Sequence, residues 1–178
     1  MPRKTALRVA DLSQNASTPF DLRPDPAALK SIADDLGLSG LRKLRFTGEI
    51  AAQGSKDWLL TGRLGATVVQ PCIVTLDPVT SRIDTDVRRL YLAEMPEIDA
   101  EEIEMPEDDT LERLGSFIDP GEVMVEALSL ALPLYPRKDG AGLDESVFAE
   151  PGVQPMRDED ARPFAGLASL RDSLKKQP

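Results

Sequence analysis

The stretch from Asp119 to Leu132 constrains this chain more than any other. Asp119 can accept from the free amides of a first helical turn, and Pro120 suits the first helical position, where an amide would be unpaired anyway. After the cap the chain runs Val-Met-Val-Glu-Ala-Leu-Ser-Leu-Ala-Leu, and Pro133 stops it. Its polar side chains, Glu122, Glu126 and Ser129, recur at spacings of four and three and form a single narrow stripe. A helix with so little polar surface must be covered by other protein on nearly every side. Leu128 and Leu130 are both expected against a sheet.

That sheet is legible upstream. Leu41 to Ala51 alternates, with Leu44, Phe46, Gly48 and Ile50 on one face and Lys43, Arg45, Thr47 and Glu49 on the other. A Gly-containing turn follows, and Trp58 to Val69 alternates again, which predicts a hairpin. Cys72–Leu76 and Ser81–Leu92 read as a further strand pair around Asp77-Pro-Val-Thr80, and Ala6–Leu12 reads as a first strand before a polar break. Asp25-Pro26 opens a short helix whose apolar stripe is Leu29, Ile32, Ala33 and Leu36, with Gly37 to end it. Gly62 and Gly65 within one strand point to a bulge or sharp bend. The predicted fold class is α+β: a curled, barrel-like antiparallel β-sheet covered by two helices. The expected domain spans residues 1–137, and 138–178 form a flexible tail ending in a short amphipathic helix.

Charge is unevenly distributed. The formal net charge is −10, yet from Glu94 to Glu112 there are ten acidic residues and no basic one, and removing them leaves 21 of each sign. The segment reads as an acidic loop inserted in the domain; Pro96 and Pro106 argue against one continuous helix there. Within it Glu101, Glu102, Glu104, Asp108 and Asp109 are the candidates for contact with a basic partner. In the tail, Phe164, Leu167 and Leu170 recur at helical spacing and form a second candidate surface for a protein partner. Lys43, Arg45 and Arg63 should share the polar face of the hairpin, a cationic patch suited to RNA phosphates, although Glu49 lies on the same face.

Catalytic chemistry finds little purchase. The chain has no histidine and a single cysteine, so the commonest general base is missing and a disulfide within one chain cannot form. Cys72 alternates with Val74 and Leu76 and reads as a small buried hydrophobe. A zinc site of the usual four Cys or His ligands cannot be assembled, so no metal and no cofactor is expected. The N-terminus lacks the apolar region of a signal peptide, and no stretch is long and apolar enough to span a membrane. The expectation is a non-enzymatic cytoplasmic protein without DNA or membrane partners.

Several stretches, taken in order, resemble one family. They are Val68-Val-Gln-Pro-Cys-Ile-Val-Thr-Leu-Asp-Pro-Val79, Arg88-Arg-Leu-Tyr, the acidic linker, Phe117-Ile-Asp-Pro-Gly-Glu with its apolar helix, Leu130-Ala-Leu-Pro-Leu-Tyr-Pro-Arg137, and Pro163-Phe-Ala-Gly-Leu-Ala-Ser-Leu170. This order is similar to the YceD family, the large ribosomal RNA subunit accumulation proteins. The resemblance implies a role in 23S rRNA accumulation and large-subunit biogenesis, with rRNA, a large-subunit ribosomal protein or a pre-ribosomal particle as partner. Many members of that family carry a Cys-x-x-Cys pair in this turn, and further Cys or His after the Leu-Pro segment. Here Thr75 occupies the second Cys position, and Leu134–Gly142 offers neither Cys nor His. The competing readings are an interaction adaptor unrelated to ribosomes, acting through the acidic arm and tail helix, and a hydrolase or nuclease working through carboxylate-bound metal.

Overall fold

The structure, a computed structural model, describes residues 5–94 and 110–142. Its centre is a sheet ordered β2–β3–β4–β5–β6, formed by β2 (Thr18–Leu22), β3 (Gly40–Gln53), β4 (Asp57–Pro71), β5 (Pro78–Leu92) and β6 (Leu111–Arg113). The first four pair antiparallel, but β6 runs parallel to the end of β5, with Leu90 beside Leu111 and Leu92 beside Arg113. The all-antiparallel expectation is corrected to a mixed sheet. Returning in the same direction requires a crossover of a dozen or more residues, and residues 93–110 supply that length. Among the described residues the sheet stays open between its edge strands β2 and β6, so no barrel closes.

A second, two-stranded sheet pairs β1 (Leu7–Arg8) with β7 (Phe117–Ile118). The expected first strand is therefore much shorter than Ala6–Leu12; the chain turns into a 3-10 helix at Val9–Asp11. Strand β2 lies in what reads as a polar break. Pro19 obscures it, since proline cannot donate to a ladder, but β2 pairs only with β3 and an edge strand tolerates that loss. The strand expected at Cys72–Leu76 is also corrected. Those residues form the turn of the β4–β5 hairpin, with the Cys72 amide donating to the Asp77 carbonyl at 2.7 Å and Leu76 at φ 62°.

The irregularity implied by the glycines lies on the opposite strand. Pairing of β3 with β4 shifts between Arg42 and Arg45, and Lys43 in that bulge has φ 53°. The extra residue lets Leu41 and Leu44, three apart, both face the core, ahead of Phe46 and Ile50. Gly62 has a different role. It lies directly opposite Gly48, and a Cβ there would sit 2.7 Å from Phe46 Cε2. The missing side chains make room for Phe46 and Phe20, whose ring centroids are 4.9 Å apart.

Helix α1 (Pro26–Asp35) is capped by Asp25, which accepts from the Ala28 amide at 2.8 Å, and ends at Gly37 with φ 65°. Helix α2 (Pro120–Ala131) is capped by Asp119, whose Oδ1 accepts from the Gly121 amide at 2.9 Å and from the Thr5 hydroxyl. Both helices pack on the core formed by Phe46, Ile50, Trp58, Leu60, Leu64 and Val68. Leu128 is fully buried, but Leu130 is 77% exposed. The expectation for Leu130 is wrong for a simple reason: it lies four residues after Glu126 and so continues the polar stripe toward solvent. Glu126 itself reaches Arg89 of β5 at 2.8 Å, tying helix to sheet.

Candidate nucleic-acid interface on the outer sheet face

With the core on one face, the outward side chains of β3, β4 and β5 form ranks across the sheet. Arg42, Thr67 and Arg82 make one; Arg45, Gly65 and Asp84 the next; then Thr47, Arg63 and Asp86; then Glu49, Thr61 and Arg88. Arg45 and Arg63 thus share this face as diagonal neighbours, as expected. Lys43 does not stand in a rank. It occupies the bulge, exposed and off the ladder.

The electrostatics divides these cations. Arg45 is held by Asp21 through two bonds, Nε to Oδ1 at 2.9 Å and Nη2 to Oδ2 at 3.0 Å, and Arg23 reaches the same carboxylate at 2.8 Å. Bonds from Arg45 and then Arg23 hold the Asp21 carboxyl well below the usual carboxylate range. Arg82 grips Asp84 with two 2.7 Å bonds. Arg63 stands opposite Asp86, and its charge helps lower the Asp84 carboxyl, behind the larger effect of Arg82. Arg45 and Arg82 are thus both balanced by aspartates, while Arg42 and Lys43 stand exposed at one end of the face. Arg42 and Arg82 stand in one rank, on either side of Thr67, because the chain turns back twice between them, a juxtaposition invisible to period-two reading of single strands.

At the same end of the sheet lies the Cys72 turn. The sulfur is buried and accepts from the amides of Val74 at 3.4 Å, Thr75 at 3.5 Å and Lys138 at 3.5 Å. The segment after Pro133 is held there by further bonds. Ile73 N–H donates to the Pro136 carbonyl at 3.0 Å, Gln70 Nε2 to the Pro133 carbonyl at 3.2 Å, and Lys138 pairs with Asp77 at 3.0 Å. Hydrogen bonds and one ion pair thus join the Cys72 turn to the segment after Pro133. The same scaffold presents Ile73, Leu76, Leu134 and Tyr135 to solvent, an exposed apolar group that the alternating pattern does not reveal.

The Cys72 thiol is lowered to about 6 by the Thr75 hydroxyl and by the amides of Lys138, Thr75 and Val74, against the opposing effect of burial. The Thr75 hydroxyl has one proton, and Asp77 Oδ2 at 3.2 Å also draws it, so the amides are the dependable part of this effect. An acid group depressed on folding contributes stability that is complete above its unfolded value, about 8.5 for cysteine, and is lost as pH falls through the folded one. Stability is accordingly expected to decline between about pH 9 and pH 6, and Cys72→Ala should remove that component. Ultraviolet thiolate absorbance followed against pH checks it; a midpoint at the ordinary thiol value contradicts the amide cradle.

A family model described as large ribosomal RNA subunit accumulation protein YceD matches residues 60–171, more than half of the chain. The chain belongs to this family. No curated protein and no solved structure matches it. The YceD match takes in most of β4, all of β5, the Cys72 turn and α2, and leaves out the elements from β1 to β3. Of the predicted RNA-contact residues, Arg63 lies within the matched span while Lys43 and Arg45 precede it. The predicted partner contacts Glu101, Glu102, Glu104, Asp108, Asp109, Phe164, Leu167 and Leu170 lie outside the described residues. Glu94, at the start of the acidic segment, pairs with Lys56 at 2.6 Å.

Proposed function

We propose that this YceD-family protein is a non-enzymatic cytoplasmic factor that promotes 23S rRNA accumulation during large-subunit biogenesis, by binding rRNA or a large-subunit ribosomal protein. The family match carries this reading. The outer sheet face supports an RNA contact through Lys43 and Arg63, extended by Arg42, whereas Arg82 is held by Asp84. Exposed guanidinium groups suit phosphate oxygens by charge and by their forked donors. Arg45 contributes less than the sequence implies, because its donors are engaged by Asp21. A basic ribosomal protein would instead meet the acidic arm, where opposite charge speeds encounter more than it adds affinity.

Deleting the gene is expected to lower 23S rRNA and 50S particles relative to 30S, with general transcription unchanged. Normal 50S levels after complete deletion overturn the reading. Binding of purified protein to rRNA should weaken steeply with salt, and Lys43→Gln and Arg63→Gln should each lower the slope of log affinity against log salt by roughly one. An unchanged slope would move the contact away from this face and leave the biogenesis role to the deletion result.

A further inference from the structure

β6 covers only the last residues of β5, Leu90–Leu92. There the Leu90 amide donates to the Thr110 carbonyl at 2.8 Å, and the Leu92 carbonyl accepts from the Leu114 amide at 2.8 Å. Even-numbered residues of β5 therefore turn their main-chain groups away from β4. Because β5 pairs with β4 without any register shift, the same alternation extends back through Asp86, Asp84 and Arg82 to Thr80. These four residues are exposed, and no strand among the described residues pairs with that stretch of edge.

An open edge is a template for pairing, and charged side chains usually blunt it. In β5 the charges do something more selective. Lay Val79–Val87 antiparallel against a second copy, with Ile83 opposite Ile83. On the core side Val79 then meets Val87, and Ser81 meets Thr85; on the solvent side Arg82 meets Asp84, and Thr80 meets Asp86. The main chain agrees with the side chains. The Arg82–Asp84 and Thr80–Asp86 positions are those whose N–H and C=O point across the edge, while Ile83 falls at the close, non-hydrogen-bonded position where apolar pairs interact most strongly. Two neighbouring registers set like charges together. Centring on Thr85 sets Arg82 against Arg88 and Asp84 against Asp86, and centring on Asp84 sets that carboxylate against its own copy.

We propose that the free edge of β5 pairs with the same edge of a second copy of this chain, in the register centred on Ile83, so that two sheets become one. Each Arg82 already holds Asp84 of its own strand at 2.7 Å, so the joined edges would alternate two arginines with two aspartates. Val79, Ser81, Thr85 and Val87 are half-buried in the single chain and have surface left to cover.

Sedimentation equilibrium of the full chain is expected to show a concentration-dependent dimer. Asp84→Pro removes an amide that β4 does not use and should give a folded monomer at every concentration. Arg82→Asp, which sets like charges at both central pairs, should also abolish the dimer, and Arg82→Asp/Asp84→Arg should restore it. If Asp84→Pro fails to fold by circular dichroism, these two surface variants decide the matter. Register is read by oxidising a mixture of Ser81→Cys and Thr85→Cys proteins, which should form a covalent heterodimer that neither forms alone; Cys72 is buried and does not compete. A monomer at all concentrations, a dimer unchanged by Arg82→Asp, or crosslinking of either single variant with itself overturns the proposal.

Discussion

Leu128→Ala is expected to lower the stability of the domain by about 2–5 kcal/mol, whereas Leu130→Ala should change it by no more than about 0.5 kcal/mol. The two leucines are two residues apart on one helix and have identical chemistry. Leu128 is fully enclosed among Val123, Met124 and the inner face of the sheet, and truncating it loses apolar contact and leaves a cavity that the close-packed core cannot fill. Leu130 is 77% exposed, so its truncation removes little buried area. Denaturant unfolding of both variants with unchanged m values checks the contrast. Equal losses would mean that α2 is rotated from the orientation described here.

Gly48→Ala is expected to cost about 3 kcal/mol, at the upper end for overpacking, because nothing soft lies in the way of the added carbon. A Cβ on Gly48 would be 2.6 Å from Gly62 Cα and 2.8 Å from Phe20 Cζ, and would also strike the Thr61 carbonyl. Relief requires parting β3 from β4 where the ladder is most central. Gly65→Ala provides the control. Its Cβ would be 2.6 Å from Arg82 Nη2, the far end of a flexible and exposed side chain that can swing aside. Its effect should stay within about 1 kcal/mol. Thermal unfolding of the pair distinguishes a backbone collision from a movable one; similar midpoints would show that β3 and β4 are further apart at Gly48.

Legibility in the sequence followed the distance over which each structure is determined. The two long hairpin strands, the two helices and their caps depend on neighbours within a few residues, and alternation, Asp25-Pro26 and Asp119-Pro120 revealed them. Strand β2 was hidden because its edge position, which alone makes Pro19 acceptable, is a property of the assembled sheet. The parallel placement of β6 and the pairing of β1 with β7 join residues more than a hundred apart or across the acidic segment, and no local pattern encodes them.

The candidate site divides in the same way. Alternation alone put Arg45 and Arg63 on one face, since side-chain direction in a strand has a period of two. Only tertiary structure brought Asp21 from β2 onto Arg45, set Arg82 across Thr67 from Arg42, and moved Lys43 off the ladder by a bulge. The sequence likewise established that Cys72 has no histidine to activate it and no second thiol to share a metal. It did not disclose that the sulfur accepts three amides, one from Lys138 far along the chain. Periodicity and caps are written in short-range sterics and hydrogen bonding, which each segment carries within itself. Charge pairing, exposure and the environment of one sulfur arise only when segments remote in sequence are packed together.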